Sequence, residues 1–192
     1  MGFLDGLLGR KKPARPDLDA LFALPSASYT LQAALGFEPT GAGAVAFRGV
    51  EGLAFDGLQD ELRAILGIDG GEPVTTSTDS FGYTWLERRT SPPDVAALVT
   101  DLHAVNTLLV EQGFAPTLLC TTVGFRRADG RALAMVYLYK QGTFYPFAPV
   151  DTAAKKRDQM LEIQVRDALG SDLPVERELG RWFALWDAPG LG

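Results

Sequence analysis

The chain of 192 residues has few of the side chains on which metal sites and disulfides depend, since it contains one cysteine, Cys120, and one histidine, His103. A single cysteine cannot form an intrachain disulfide, so nothing in the sequence implies an oxidising compartment. Zinc sites typically need two or three His or Cys ligands, and this shortage argues strongly against one. We therefore expect no metal and no cofactor.

Long apolar runs and excess positive charge are missing as well. No run approaches the ~18 apolar residues typical of a membrane span. The chain has 18 Lys and Arg against 24 Asp and Glu, a net charge of −6. Residues 1–15 have a net charge of +3, from Arg10, Lys11, Lys12 and Arg15 against Asp5. Residues 16–192 therefore have a net charge of −9. An acidic body of this kind excludes a nucleic-acid partner.

The usual catalytic patterns are not found. There is no Gly-x-Ser-x-Gly elbow, and Gly41-Ala42-Gly43 is followed by the strand-like Val45–Phe47 rather than by a helix, which favours a hairpin turn over a phosphate loop. Cys120 lies in an apolar run, where a free cysteine usually behaves as a small buried hydrophobe. The sequence therefore predicts a protein that is not an enzyme.

Hydrophobic periodicity predicts an α+β fold, in which an antiparallel sheet of hairpins and a meander packs with helices. Asp129-Gly130 is typical of a tight hairpin turn, and Ser91-Pro92-Pro93-Asp94 of a helix start. The predicted helices are 18–24, 55–66, 94–112 and 151–169, and the predicted strands are 29–36, 44–48, 81–89, 117–126, 131–140 and 143–147.

Two parts are expected, an N-terminal head and linker over 1–16 and a single α+β domain over 17–192. Within the domain, 28–90 and 117–187 show a weak similarity on either side of the helix 94–112. One interpretation is an internal duplication of a β-hairpin–helix–strand unit. The other is that hairpins and glycine-capped helices resemble one another.

The head has the composition of an interfacial anchor, because an apolar stripe on a helical wheel is followed by a basic cluster. The free energy gained by burying the apolar side chains is nearly cancelled by the entropic cost of ordering the segment. We therefore expect the head to bind an anionic membrane weakly and to need a second attachment. The alternative is that the stripe docks on its own domain or on a protein partner. The predicted membrane contacts are Phe3, Leu4, Leu7, Leu8, Arg10, Lys11 and Lys12.

Two further groups are candidates for a partner surface or a pocket. Asn106 falls at the centre of the apolar face of the helix 94–112, and His103 falls at its edge. They either fix the helix over the sheet or line a pocket. The aromatic residues of the meander either form core or bind a partner, with core favoured, and Trp182 of the C-terminal segment is a further candidate for partner binding. These aromatic candidates are Tyr139, Phe144, Tyr145 and Trp182.

Segments spread over nearly the whole chain resemble one known family. They run from MGFLDGLLGRKKP through LDALFALPSA, GFEPTGAGAVAFR, FGYTWL, LVTDLHAVNTLL, GFAPTLLC and VYLYKQGTFYPFAP to RWFALWDAPGL. Together they resemble the PspA-associated protein B (PspAB) family. The resemblance implies a bacterial, actinobacterial-type cytoplasmic protein of the phage-shock envelope-stress system, linked to phage shock protein A, a coiled-coil membrane-remodelling protein. It brings no catalytic residues with it.

The combined prediction is a non-enzymatic adaptor that binds phage shock protein A or another envelope-stress protein. It is expected in the cytoplasm, peripheral to the inner face of the membrane. Two alternatives stay open at this point. One is a small-molecule-binding or enzymatic domain with a pocket near His103 and Asn106, and the other is a chaperone-like homodimer that pairs its sheets.

Overall fold

The computed structural model describes residues 17–49, 57, 61, 64 and 74–191. In these ranges six strands form one antiparallel sheet with the spatial order β2-β3-β1-β4-β5-β6, and two short strands form a separate hairpin. The predicted α+β class with an antiparallel sheet is confirmed. The strands are β1 Phe37–Phe47, β2 Thr75–Thr78, β3 Thr84–Arg89, β4 Leu118–Arg127, β5 Ala132–Leu138, β6 Thr143–Phe147, β7 Pro149–Asp151 and β8 Lys156–Arg157.

One face of the sheet is covered by α1 (Leu24–Leu35), α2 (Val95–Glu111) and α3 (Gln159–Leu169). Asp94 begins α2 as predicted, because its carboxylate accepts hydrogen bonds from the first-turn amides of Ala96 and Ala97. Apolar side chains recur at helical spacing along the three helices and pack on alternate residues of the strands. This face carries the larger part of the core.

The opposite face is covered by the C-terminal segment 179–191, which runs across small and aromatic strand residues. Ala44 and Ala46 leave room there, and Trp182, Leu185 and Leu191 are buried against the sheet. The ring of Trp182 stacks on that of Tyr145, with centroids 5.9 Å apart. The sheet is therefore apolar on both faces and covered on both, as a buried meander requires.

The meander is the part of the fold that the sequence predicts best. β4 and β5 pair in register around the Asp129-Gly130 turn, with Arg126 opposite Ala132, and β6 follows as the third strand. The predicted start of helix 94–112 is also confirmed. Its end is confirmed as well, since Gly113 follows it with a positive φ of 86°.

The predicted strand over 29–36 is wrong, because this segment belongs to α1. Pro25 directly follows the helix predicted over 18–24, but it does not end that segment: it stands in the first turn of α1, where its missing N–H costs no hydrogen bond. Gly36 ends the helix in a left-handed conformation, φ 69°, and its N–H donates to the carbonyl of Gln32. The short helix predicted over 18–24 is a 3-10 helix, Leu18–Ala23, that leads into α1.

The Gly41–Gly43 stretch is strand, not the predicted hairpin turn, and β1 is irregular between Pro39 and Gly43. A Cβ on Gly43 would lie 2.7 Å from Cδ1 of Leu102 and 2.8 Å from the carbonyl oxygen of Thr122. Glycine at this position therefore allows α2 to approach β1 closely.

The first half of the helix predicted over 151–169 is also wrong. Residues 149–157 form the β7–β8 hairpin, and α3 begins only after Asp158, whose carboxylate caps the N–H of Leu161. The similarity between 28–90 and 117–187 is not supported at its opening, since Thr30-Leu31 is helical and Thr117-Leu118 leads into a strand. An internal duplication is therefore unconfirmed.

Two predicted elements fall outside the described residues. They are the head, 1–16, and most of the helix 55–66, of which Gly57, Glu61 and Ala64 are described and helical.

Candidate functional site

An aromatic cleft of about 260 Å³ lies where the turn between β2 and β3 meets the C-terminal segment. Two of its aromatic side chains are largely exposed, Phe81 at 59% and Phe183 at 49%. Exposed aromatic rings beside an apolar floor are typical of binding surfaces rather than of ordinary protein surface. The cleft is lined by Asp79, Phe81, Tyr83, Trp85, Leu119, Phe183, Ala184, Leu185, Trp186 and Asp187.

The carboxylate of Asp79 holds the β2–β3 turn in shape. It accepts hydrogen bonds from the amides of Phe81 and Tyr83 and from Nε1 of Trp85, each at 2.9 Å. The hydroxyl of Ser80 donates to Oδ2 of Asp187 at 2.6 Å, which ties the turn to the C-terminal segment. The two walls of the aromatic cleft are thus fixed by short polar contacts.

Asp79 and Asp187 give one rim of the cleft negative charge. In the part of the chain that the structure describes, both accept hydrogen bonds only from neutral donors, and neither has an ion-pair partner. Uncompensated carboxylates beside apolar surface favour a ligand that brings cationic groups.

Basic side chains lie on the other side of the cleft. Two adjoining concavities of about 290 Å³ each share Leu118 and Leu119, and Arg48, Lys140 and Arg181 line them. The guanidinium of Arg48 stands 5.2 Å from the ring centroid of Tyr83. The extended surface is therefore apolar in the middle, acidic at one end and basic at the other.

Asn106 is buried, and both of its amide hydrogen bonds stay within the fold. Its Nδ2 donates to the carbonyl of Leu102 at 2.8 Å and to Oγ1 of Thr121 on β4 at 2.9 Å. Asn106 therefore joins α2 to the sheet, which is the first of the two alternatives that the sequence left open. His103 is partly exposed and lies 3.2 Å from Oδ1 of Asp19, beside the ring of Phe22. Neither residue lines the aromatic cleft or the two concavities that adjoin it.

The four aromatic partner candidates lie inside the protein. Phe144 and Tyr145 are fully buried, and Tyr139 and Trp182 are each 7% exposed. The hydroxyl of Tyr145 donates to the carbonyl of Phe183, and Nε1 of Trp182 donates to that of Glu176. All four side chains form core in this fold, which for the three meander residues is the interpretation that the sequence favoured. The predicted membrane contacts, Phe3 to Lys12, lie outside the described residues.

Cys120 is buried beneath the C-terminal segment, and burial raises the pKa of its thiol to about 12. It behaves as the small hydrophobe that the sequence predicted rather than as a nucleophile. Within the described ranges, no group of three or more His, Cys, Asp or Glu side chains is arranged to hold a metal ion. None of the helices described there is long and apolar enough to cross a membrane.

A larger cavity of about 570 Å³ lies beside the β4–β5 turn. Its charged groups already pair with one another, since the guanidinium of Arg131 lies 3.4 Å from Asp129 and 3.3 Å from Asp158. Internal pairing of this kind leaves little charge to select a ligand. The aromatic cleft is the better candidate for a functional site.

Sequence reasoning missed the aromatic cleft because its walls come from two distant segments. Phe81 and Phe183 are separated by about one hundred residues, and beyond the 3-10 helix Leu179–Arg181 the C-terminal segment has no helix or strand that would place it on the sheet. One signal was present in the sequence: Phe81, Phe183 and Trp186 each stand close to an Asp in a turn-like segment.

Comparison with known proteins gives a single clear result. The family model described as PspA associated protein B matches residues 1–190, which is nearly the whole chain. No curated protein and no solved structure matches significantly. A match of this extent confirms the resemblance carried by the motifs. The chain belongs to the PspA associated protein B (PspAB) family, and its role is linked to the PspA phage-shock system.

Proposed function

We propose that this protein is a non-enzymatic adaptor of the PspA system that binds an amphipathic helix of a protein partner in the aromatic cleft. The observation that supports this most is the exposure of Phe81 and Phe183 on either side of an apolar floor. Aromatic anchors of this kind contribute most of the binding energy in typical interfaces. Family membership makes PspA itself the first partner to test.

The shape and charge of the surface favour a helix over an extended peptide. An added strand needs a free sheet edge, whereas this surface is formed by side chains above a sheet face. A helix presents apolar side chains at i, i+3 and i+4 on one face, with charged residues beside them. The acidic end at Asp79 and Asp187 and the basic end at Arg48 and Lys140 would set its direction.

A coiled-coil protein supplies segments of this kind. The resemblance of the sequence to the PspAB family implies such a partner in phage shock protein A. The adaptor would act in the cytoplasm, peripheral to the membrane, where the head and the aromatic cleft make two weak attachments. Two linked contacts can hold a protein at a surface that neither would hold alone.

The test is a binding titration of the full chain against purified PspA. Phe81→Ser and Phe183→Ser each remove an exposed anchor and are expected to weaken binding about tenfold or more, since an anchor residue contributes at least ~1.4 kcal/mol. Tyr29→Ser and Met160→Ser are matched controls, because both side chains are 73% exposed and lie on α1 and α3. Equal affinity for the cleft and control variants would contradict the proposal.

A further inference from the structure

The aromatic cleft also fits a segment of this chain itself. Its apolar floor and its two carboxylates, which have no ion-pair partner among the described residues, call for a ligand with apolar side chains followed by cationic ones. Residues 3–8 supply Phe3, Leu4, Leu7 and Leu8, and the cluster of Arg10, Lys11 and Lys12 follows directly. The head has a net charge of +3 over residues 1–15, whereas the rest of the chain, residues 16–192, has a net charge of −9.

The start of the described chain lies close enough for the head to reach the cleft. The backbone N–H of Asp17 donates to Oη of Tyr137 at 3.2 Å, and its carbonyl oxygen accepts from the same hydroxyl at 2.6 Å. Tyr137 on β5 pairs with Thr121 on β4, two residues along the strand from Leu119 in the cleft lining. Asp17 is therefore anchored on the helical side of the sheet, near the strand ends that border the cleft.

The path from this anchor to the cleft is short compared with the length of the head. Packed layers are about 10 Å apart, and two strand residues span about 7 Å. The ten residues from Leu7 to Asp17 can extend to about 33 Å. The head can therefore pass around the strand ends and place its apolar residues in the aromatic cleft.

Because the head is covalently linked to the domain, even a weak contact is sufficient for it to occupy the cleft. A segment held by a short linker sees its own site at an effective concentration of the order of millimolar. A free protein partner at lower concentration must compete with it, and so must a second copy of this chain. Gly2, Gly6 and Gly9 make the segment costly to order, which keeps the contact weak enough to be displaced.

We propose that residues 3–12 of this chain occupy the aromatic cleft when no partner is bound, with the apolar stripe on the floor and the basic cluster at Asp79 and Asp187. The inference rests on the proposed function in that it uses the same cleft. Its consequence is competition: a partner helix displaces the head, and the displaced head is then available to an anionic membrane.

Disulfide trapping in the full chain tests this directly. Leu7→Cys combined with Ala184→Cys places one thiol in the head and one in the cleft lining, and Leu7→Cys with Met160→Cys is the control. Cys120 is buried and its raised pKa keeps it out of the reaction. Met160 is more exposed than Ala184, so accessibility alone would favour the control.

The expected result is intrachain disulfide formation about tenfold faster in the cleft pair than in the control pair, because the head spends much of its time in the cleft. Adding Leu4→Asp and Leu8→Asp should slow the cleft pair to the control rate. Equal rates in the two pairs, or disulfide-linked dimers in place of the intrachain bond, would overturn the inference. Failure of the trapping experiment would not contradict the binding of PspA in the cleft. Conversely, an unchanged affinity of Phe81→Ser for PspA would contradict the proposed function without affecting the trapping result.

Discussion

Nε of Arg157 lies 2.8 Å from Oε1 of Glu162, and the pair is almost completely withdrawn from solvent, with side chains 16% and 2% exposed. The same carboxylate accepts the amide of Ala148, and the guanidinium also donates to the carbonyl of Trp182 at 2.9 Å. This ion pair therefore joins α3, the end of the β7–β8 hairpin and the C-terminal segment that forms one wall of the aromatic cleft.

Removing one partner of this pair should destabilise the protein strongly. Glu162→Gln leaves the charge of Arg157 buried without a counter-ion, and breaking such a pair typically costs ~3–5 kcal/mol. We expect a loss of this size in the free energy of unfolding, measured by urea denaturation. The double variant Arg157→Met/Glu162→Leu buries no charge and should recover much of the loss. A single variant as stable as the parent would contradict the role given to the pair.

Asn106 should be tested together with its partner Thr121, since the two are joined at 2.9 Å between α2 and β4. Asn106→Ala leaves a small cavity and an unpaired hydroxyl, and we expect a loss of about 1–3 kcal/mol in unfolding free energy. Asn106→Leu with Thr121→Val replaces both polar groups and should cost less than Asn106→Leu alone. Additive effects in this double-mutant cycle would show that the two side chains do not interact.

The sequence predicted those elements that form through contacts between residues close together in the chain. The Asp129-Gly130 turn and the Asp94 cap act within a few residues, so the meander and α2 could be predicted. Tyr29 and Thr30 have strand propensity, but they lie in α1 because Leu24, Ala27 and Leu31 bury one helical face. The aromatic cleft depends on Phe81 meeting Phe183 across the fold, and no local pattern encodes that contact.

Cys120 should be inert in the folded protein. Burial raises the pKa of its thiol to about 12, so almost no thiolate is present at pH 8, and the segment 179–191 covers it. We expect alkylation by iodoacetamide to be slow in the native protein and rapid after unfolding in guanidinium chloride, with mass spectrometry as the readout. The same rate in both states would show that the C-terminal segment does not cover this face of the sheet.

The pH dependence of stability should carry a contribution from Asp129 in the acid range. Hydrogen bonding to the guanidinium of Arg127 lowers the pKa of the Asp129 carboxyl from 3.8 to about 2. A carboxyl with a lowered pKa in the folded state stabilises the fold above its unfolded pKa, and this contribution is lost as the pH falls from about 3.8 to about 2.

Urea midpoints of the parent chain and Asp129→Asn at pH 5 and pH 2 would measure that contribution. The parent should be the more stable of the two at pH 5, by a small margin because the carboxyl is exposed. The difference should narrow at pH 2. A difference that stays constant between the two pH values would rule out titration of Asp129 as its source.

Hydrogen exchange of the Leu4→Asp/Leu8→Asp variant of the full chain, whose head is not expected to occupy the cleft, tests the central claim most directly when the free protein is compared with its complex with PspA. If a partner helix binds in the aromatic cleft, added protection should be concentrated in residues 79–83 and 183–187, which form its walls. The exposed surfaces of α1 and α3 should exchange as they do in the free protein. Protection confined to α1 and α3, with the residues of the cleft unchanged, would contradict the proposed function.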